Sequence, residues 1–174
     1  VLISTPATGS RVGSSVTVTG TASDAGTVTV SMDSQPSQYA VVTGGSWSAT
    51  FSGLTEGTYA ISAALADGVG NIGFSATTTV TVDTTAPTVS ISSGPANAST
   101  DNSTSATFGF SSAATDLAGF ACDIDGQGFA GCTSTKTVLG LAEGVHVFTV
   151  VAIDRAGNVS LPASRTWTVD RTCL

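Results

Sequence analysis

Apolar and polar side chains alternate along most of this chain with a period of two, the period of a strand that buries one face. Ser15-Val16-Thr17-Val18-Thr19-Gly20-Thr21-Ala22 is the clearest run, and Gly26-Thr27-Val28-Thr29-Val30-Ser31-Met32 follows the same rule. Strands are predicted likewise over 39–43, 46–51, 58–66 and 75–82, with Val1-Leu2-Ile3-Ser4 opening the series. Turn-forming clusters separate them: Ser23-Asp24-Ala25-Gly26, Gly44-Gly45, Ser52-Gly53-Leu54-Thr55-Glu56-Gly57 and Asp67-Gly68-Val69-Gly70-Asn71. About seven short strands with turns at this spacing describe an antiparallel sandwich of two sheets.

The pattern then starts again. Leu54-Thr55-Glu56-Gly57-Thr58-Tyr59 is answered by Leu141-Ala142-Glu143-Gly144-Val145-His146, and Asp67-Gly68-Val69-Gly70-Asn71 by Asp154-Arg155-Ala156-Gly157-Asn158. Val80-Thr81-Val82-Asp83 returns as Trp167-Thr168-Val169-Asp170, again 87 residues on (54 to 141, 67 to 154, 83 to 170). A register held over a domain's length marks tandem copies of one folding unit. The expected organisation is all-β: one sandwich over 1–83, a linker over 84–87 stiffened by Pro87, a second sandwich over 88–170 and a tail over 171–174.

Composition narrows the function classes. Only 10% of residues are charged, the net charge is −7, and Arg11, Lys136, Arg155, Arg165 and Arg171 are the only Lys and Arg residues. That balance argues against nucleic acid, whose phosphates need clustered Lys and Arg, and against an anionic membrane surface. No run approaches the roughly 18 apolar residues of a spanning helix, so no membrane insertion is expected. Val1 reads as part of a strand, which points to a mature product or an excised piece of a longer protein.

Asp83-Thr84-Thr85-Ala86-Pro87 followed by the strand Val89-Ser90-Ile91 resembles the junctions of the bacterial immunoglobulin-like domains repeated in large surface adhesins and other secreted proteins. The Gly57-Thr58-Tyr59 and Gly144-Val145-His146 openings that lead into Asp-x-x-Gly-Asn resemble them too. In the second copy, the segment 120–134 with Cys122 and Cys132 is similar to a disulfide-hairpin variant of that group. The resemblance implies two tandem immunoglobulin-like antiparallel β-sandwiches at an extracellular or cell-surface address in bacteria. It says little about any particular activity, because one fold hosts many. The ending departs from the pattern: Arg171-Thr172-Cys173-Leu174 stands where another linker is expected.

Cys122 and Cys132 flank the Asp125-Gly126 turn, and antiparallel pairing about Gln127 sets them opposite each other, near enough to bridge. A metal pair is the alternative, but no further Cys or His ligand lies nearby; a disulfide in an oxidising compartment is expected. Cys173 is left over, for a partner in absent sequence or for an intermolecular bridge. His146 is the chain's only histidine and stands at the place of Tyr59. Sandwiches of this type often put a tyrosine at that corner, bonded to nearby backbone. A structural histidine is therefore expected, and with none in the first copy no enzyme activity is expected.

The loop carboxylates have two readings. Strand order places Asp116, Asp154 and Asn158 at the end of the second sandwich that Asp83 approaches from the first. Asp24, Asp67 and Asn71 occupy the matching outer end of the first copy, and Asp170 takes the part of Asp83 for a following domain. Convergent carboxylate and amide oxygens suit Ca²⁺, which takes six to eight oxygen ligands. The same residues also make turns through side-chain to backbone hydrogen bonds. The resemblance adds weight to calcium, since some long adhesins built of such domains stiffen their joints with it.

In the strand around residues 146–153, His146, Phe148, Val150 and Ala152 are expected to face the core, leaving Val147, Val151 and Ile153 as an apolar outer stripe for a contact. Covering by long neighbours is the plainer account. The reading that follows is a spacer or stalk module that projects a binding domain or forms part of a fibre. Its partners would be neighbouring domains of the same chain, with a host surface or self-association possible beyond them. The alternatives are an accessory carbohydrate-binding module of a secreted protein, or a filament subunit. Aromatics are 6% of residues and Trp47 and Trp167 fall within alternating strands, which favours the spacer over a carbohydrate platform.

Overall fold

A computed structural model describes residues 1–172. The questions attached to Cys173 lie outside the described residues. The chain divides into two compact units, Val1–Thr84 and Thr85–Leu174.

In the first unit the strands are β1 (Leu2–Thr5), β2 (Ser10–Val12), β3 (Ser15–Thr21), β4 (Thr27–Met32), β5 (Gln38–Val41), β6 (Ser46–Ser52), β7 (Gly57–Ala66), β8 (Ile72–Phe74) and β9 (Thr78–Val82). One sheet runs β1-β3-β6; the other runs β2-β9-β7-β4-β5, with β8 also paired to β7. The second unit repeats this with β10 (Ser90–Ser93), β11 (Ser99–Asp101), β12 (Ser105–Ser111), β13 (Leu117–Ile124), β14 (Ala130–Cys132), β15 (Lys136–Leu139), β16 (Gly144–Asp154) and β17 (Ala163–Val169). Its sheets are β10-β12-β15 and β11-β17-β16-β13-β14. Each unit is thus an immunoglobulin-like sandwich.

Two features go beyond the alternation pattern. The short strands β2 and β11 were not expected, and each runs parallel to the last strand of its unit: Ser10 to Val12 against Val80 to Val82, and Ser99 to Asp101 against Trp167 to Val169. The strand predicted over 75–82 begins only at Thr78 as β9, and residues 75–77 form a break between it and β8. At the break Ser75 donates its backbone N–H to Ala63 O and accepts the Ala63 N–H on its own Oγ, both at 2.8–2.9 Å. Ser160 makes the same pair of bonds with Ala152, so a serine hydroxyl fills a gap in each ladder.

The cores differ in kind. Val16, Val18, Val28, Val30, Val80 and Val82 dominate the first, capped by Trp47 and Phe51. Trp47 lies across Gly20, its register partner, where an added Cβ would sit 2.0 Å from Leu2 O and 2.3 Å from the indole. Only glycine lets the ring and the β1 backbone come this close. The second core is aromatic: Phe108 stacks on Phe148 with centroids 4.0 Å apart, and Trp167 tilts against Phe108 at 5.3 Å. Such pairs favour a single side-chain arrangement beyond their burial.

Candidate functional site

The loop carboxylates are built first by their own turns. Asp67 follows β7, and its Oδ1 accepts the backbone N–H of Val69 and of Asn71 while Oδ2 accepts the Asn71 side-chain amide. Asp154 at the end of β16 does the same, with Ala156 N–H and Asn158 N–H on Oδ1 and the Asn158 amide on Oδ2. The sequence Asp-x-x-Gly-Asn is therefore a clasp: an acidic side chain satisfies the turn's donors, glycine supplies positive φ, and asparagine returns to the carboxylate. Hydrogen bonds led by the Asn71 amide hold the Asp67 carboxyl below the usual range. For Asp154 burial pushes upward, but the bonds from Asn158 and Ala156 outweigh it and the carboxyl again lies low.

Around the first clasp, Asp24, Asp67 and Asn71 line one cavity of about 270 Å³ with Ser23, whose hydroxyl donates to Asp24 Oδ2 at 2.8 Å. In the second unit Asp116 immediately precedes Leu117, the register partner of Asp154, and its carbonyl accepts the Arg155 N–H at 3.0 Å. Asp83 continues β9, donates its N–H to Val12 O, and pairs its carboxylate with Arg11 Nη1 at 3.2 Å. Asp170 holds the Thr172 N–H on Oδ1 at 2.9 Å. Each of Asp67 and Asp154 thus organises its own turn.

His146 closes the corner expected of it. Its Nε2 lies 2.9 Å from Ala142 O and its Nδ1 2.8 Å from Asp125 Oδ2, with the ring buried beside Trp167. In the first unit the Tyr59 hydroxyl donates to Thr55 O at 3.0 Å, also four residues back. With the Ala142 carbonyl on one ring nitrogen and the Asp125 carboxylate on the other, the His146 pKa is raised against the pull of burial. The aspartate was missed in the sequence. Asp125 also accepts the Val147 N–H and donates its own to Val147 O; Asp33 makes the same two bonds with Ala60. These equivalent aspartates stand 92 residues apart, so a search at the offset of 87 passes over them.

Cys122 and Cys132 are joined in a disulfide with Cα atoms 5.8 Å apart. They are not directly opposite, as pairing about Gln127 predicted. Cys122 faces Ala130 and Cys132 faces Phe120, so the bond runs diagonally across β13 and β14. The hairpin pivots about Gly126 instead, because Asp123 takes the Gly126 and Gly128 N–H groups on its carboxylate.

The outer stripe of β16 is not continuous. Val147 is 36% exposed, but Val151 is only 8% exposed and Ile153 is half-buried, bridged by Val159. The loop after β16 folds back along the strand, the covering that neighbour lengths allow. Trp47 and Trp167 are both interior.

Residues 13–84 match the family model of a bacterial Ig-like domain. Among solved structures, the fibronectin(III)-like modules of Clostridium thermocellum CbhA are 21% identical, with 97% of this chain and 93% of that one covered and a TM-score of 0.63. The FN1–FN3 domains of chicken CNTN1 are 13% identical, with 98% and 68% covered and a TM-score of 0.62. At these identities the likeness is one of fold. No curated protein sequence matches the chain. Domains of these folds are typically non-catalytic, and bacterial Ig-like domains are usually extracellular or surface-associated. No helix among the described residues is long and apolar enough to cross a membrane. The first unit thus carries a match to the bacterial Ig-like domain family over residues 13–84, and both units share the immunoglobulin-like sandwich fold.

Proposed function

We propose that the chain is a spacer segment of an extracellular bacterial surface protein or adhesin, holding a binding domain away from the cell or forming part of a fibre. The supporting observation is the direction of the second and last strands of each unit. Because β2 runs parallel to β9 and β11 to β17, the chain enters each unit at one end and leaves it at the other. Every copy of such a unit adds its own long dimension to the path of the chain. A single rigid sandwich per copy, with a junction of a few residues around Pro87, suits that task.

Calcium enters this reading as a stiffener rather than a requirement. Oxygen donors on Asp116, Asp154 and Asn158 in the second unit, and on Asp24, Asp67 and Asn71 in the first, are of the type a hard cation takes. With three hydrogen bonds already on each clasp carboxylate, the remaining lone pairs would make each set a modest site. Melting of the whole chain in calcium and in EDTA tests this part: binding to the folded state raises the midpoint, and Asp116→Ala removes the rise.

The spacer itself is tested in the parent protein on intact cells. Replacing both units by two unrelated immunoglobulin-like sandwiches should preserve adhesion, whereas deleting both should reduce it. Loss of adhesion in the replacement would overturn the spacer reading.

A further inference from the structure

The outer face of the larger sheet in the first unit carries a row that the alternation pattern does not reveal. Register partners run Tyr39 to Thr29, Thr29 to Ala64, and Ala64 to Phe74, across four neighbouring strands. Directly paired residues share a face, so the two aromatic side chains stand on one surface with small residues between them. Tyr39 is 72% exposed and Phe74 71%. Three strand spacings separate them, about 14 Å. Beside this row Ser31 pairs with Ser62, and a depression of about 300 Å³ opens there, lined also by Asp33 and Thr77.

We propose that this face is a binding platform for a neutral, unbranched polysaccharide. Sugar rings offer apolar C–H faces that stack on aromatic rings and a rim of hydroxyls that pair with serine, threonine and carboxylate oxygens. Two rings flanking a flat, small-residue floor, with polar groups along one side, match that chemistry and its size. Charge selects among glycans: the row itself is uncharged, Asp33 borders it, and the chain carries a net −7, which disfavours acidic polymers. Area argues against a protein partner or a second copy. Even with exposed Val41 and Ile72 on the same face, the platform covers on the order of 300 Å² by strand spacing, against roughly 800 Å² per partner for a stable protein interface.

The platform belongs to the first unit alone. The corresponding row of the second unit runs from Val151 to Ala121 to Gly131, with the valine buried and no aromatic residue. The fold therefore does not require the rings, and the second unit is an internal control.

The test is ¹⁵N chemical-shift titration of the whole chain with cellohexaose, xylohexaose, mannohexaose, laminarihexaose and N-acetylchitohexaose. At least one is expected to bind with a millimolar or tighter Kd, shifting amides of β4, β5, β7 and β8 and leaving the second unit still. Tyr39→Ala and Phe74→Ala, both at exposed positions, should each weaken binding about tenfold or more with unchanged melting. The proposal is overturned if no hexasaccharide shifts these amides at millimolar concentration, or if binding survives the double variant. A concentration-dependent dimer in sedimentation, lost in the double variant, would overturn it in favour of self-association.

Discussion

Tyr59 and His146 close the same corner by different chemistry: each reaches back four residues to a main-chain carbonyl, at 3.0 Å to Thr55 O and 2.9 Å to Ala142 O. The histidine adds a second bond, from Nδ1 to Asp125, and with it a dependence on pH. Its pKa is raised above the ordinary 6.5, chiefly by the Ala142 carbonyl and also by Asp125. The sign follows from linkage: the protonated ring is favoured by folding, so the contribution is complete below about pH 6.5 and is lost as pH rises through the folded pKa. Denaturant melts of the second unit should therefore weaken from pH 6 into the alkaline range, and His146→Tyr should flatten that profile. His146→Ala should cost about 2–3 kcal/mol, since it leaves a cavity and unpairs two acceptors.

The chain's two tryptophans report on the units separately, because Trp47 lies in the first core and Trp167 in the second. Gly20→Ala should destabilise only the unit that Trp47 reports, by about 3 kcal/mol, because the new methyl meets Leu2 O and the indole. Equal loss in the Trp167 signal would contradict this.

Replacing Cys122 and Cys132 by alanine opens a loop of 10 residues in sequence separation. Chain-entropy arithmetic sets the loss near 3 kcal/mol. It should fall on the second unit alone, and the variant should still fold, because Phe108, Phe148 and Trp167 supply the core. Urea melts with the Trp167 signal read the difference.

Acid should open the clasps. Asp67 and Asp154 have carboxyls held below the usual range, so their contribution is present above about pH 4 and lost as pH falls through the folded values. Asp154→Ala should cost more than Asp67→Ala, because Asp154 is buried and its turn donors are part-buried, whereas those of Asp67 are exposed to water. Acid titration of the two variants by circular dichroism compares them.

The strands were legible because alternation is a local property: Val16, Val18, Val28 and Val30 face inward as their spacing requires. The corner histidine was legible from its repeat partner. What escaped depended on pairing between distant strands. The parallel strands β2 and β11 are three residues each, too short for a period to appear. The diagonal disulfide follows from a turn centre one residue away from the one expected. Asp33 and Asp125 left the common offset because the chain from each to its partner in the central strand differs in length, from Asp33 to Ala60 in the first unit and, five residues shorter, from Asp125 to Val147 in the second. Tyr39 and Phe74 lie 35 residues apart, and only the ladders through Thr29 and Ala64 put them in a row. Among the loop carboxylates, Asp67 and Asp154 make the turn hydrogen bonds that one of the two sequence readings named.

The parallel pairing of the second and last strands in each unit also bears on how it answers tension. If the two ends of a unit are drawn apart, Ser10 to Val12 is dragged along Val80 to Val82 rather than peeled from it, and Ser99 to Asp101 along Trp167 to Val169. The bonds of such a patch carry load side by side and must yield together, whereas a hairpin pulled from its open end parts one bond at a time. Two three-residue strands, negligible in a melting curve, are thus placed to set the force at which each unit gives way.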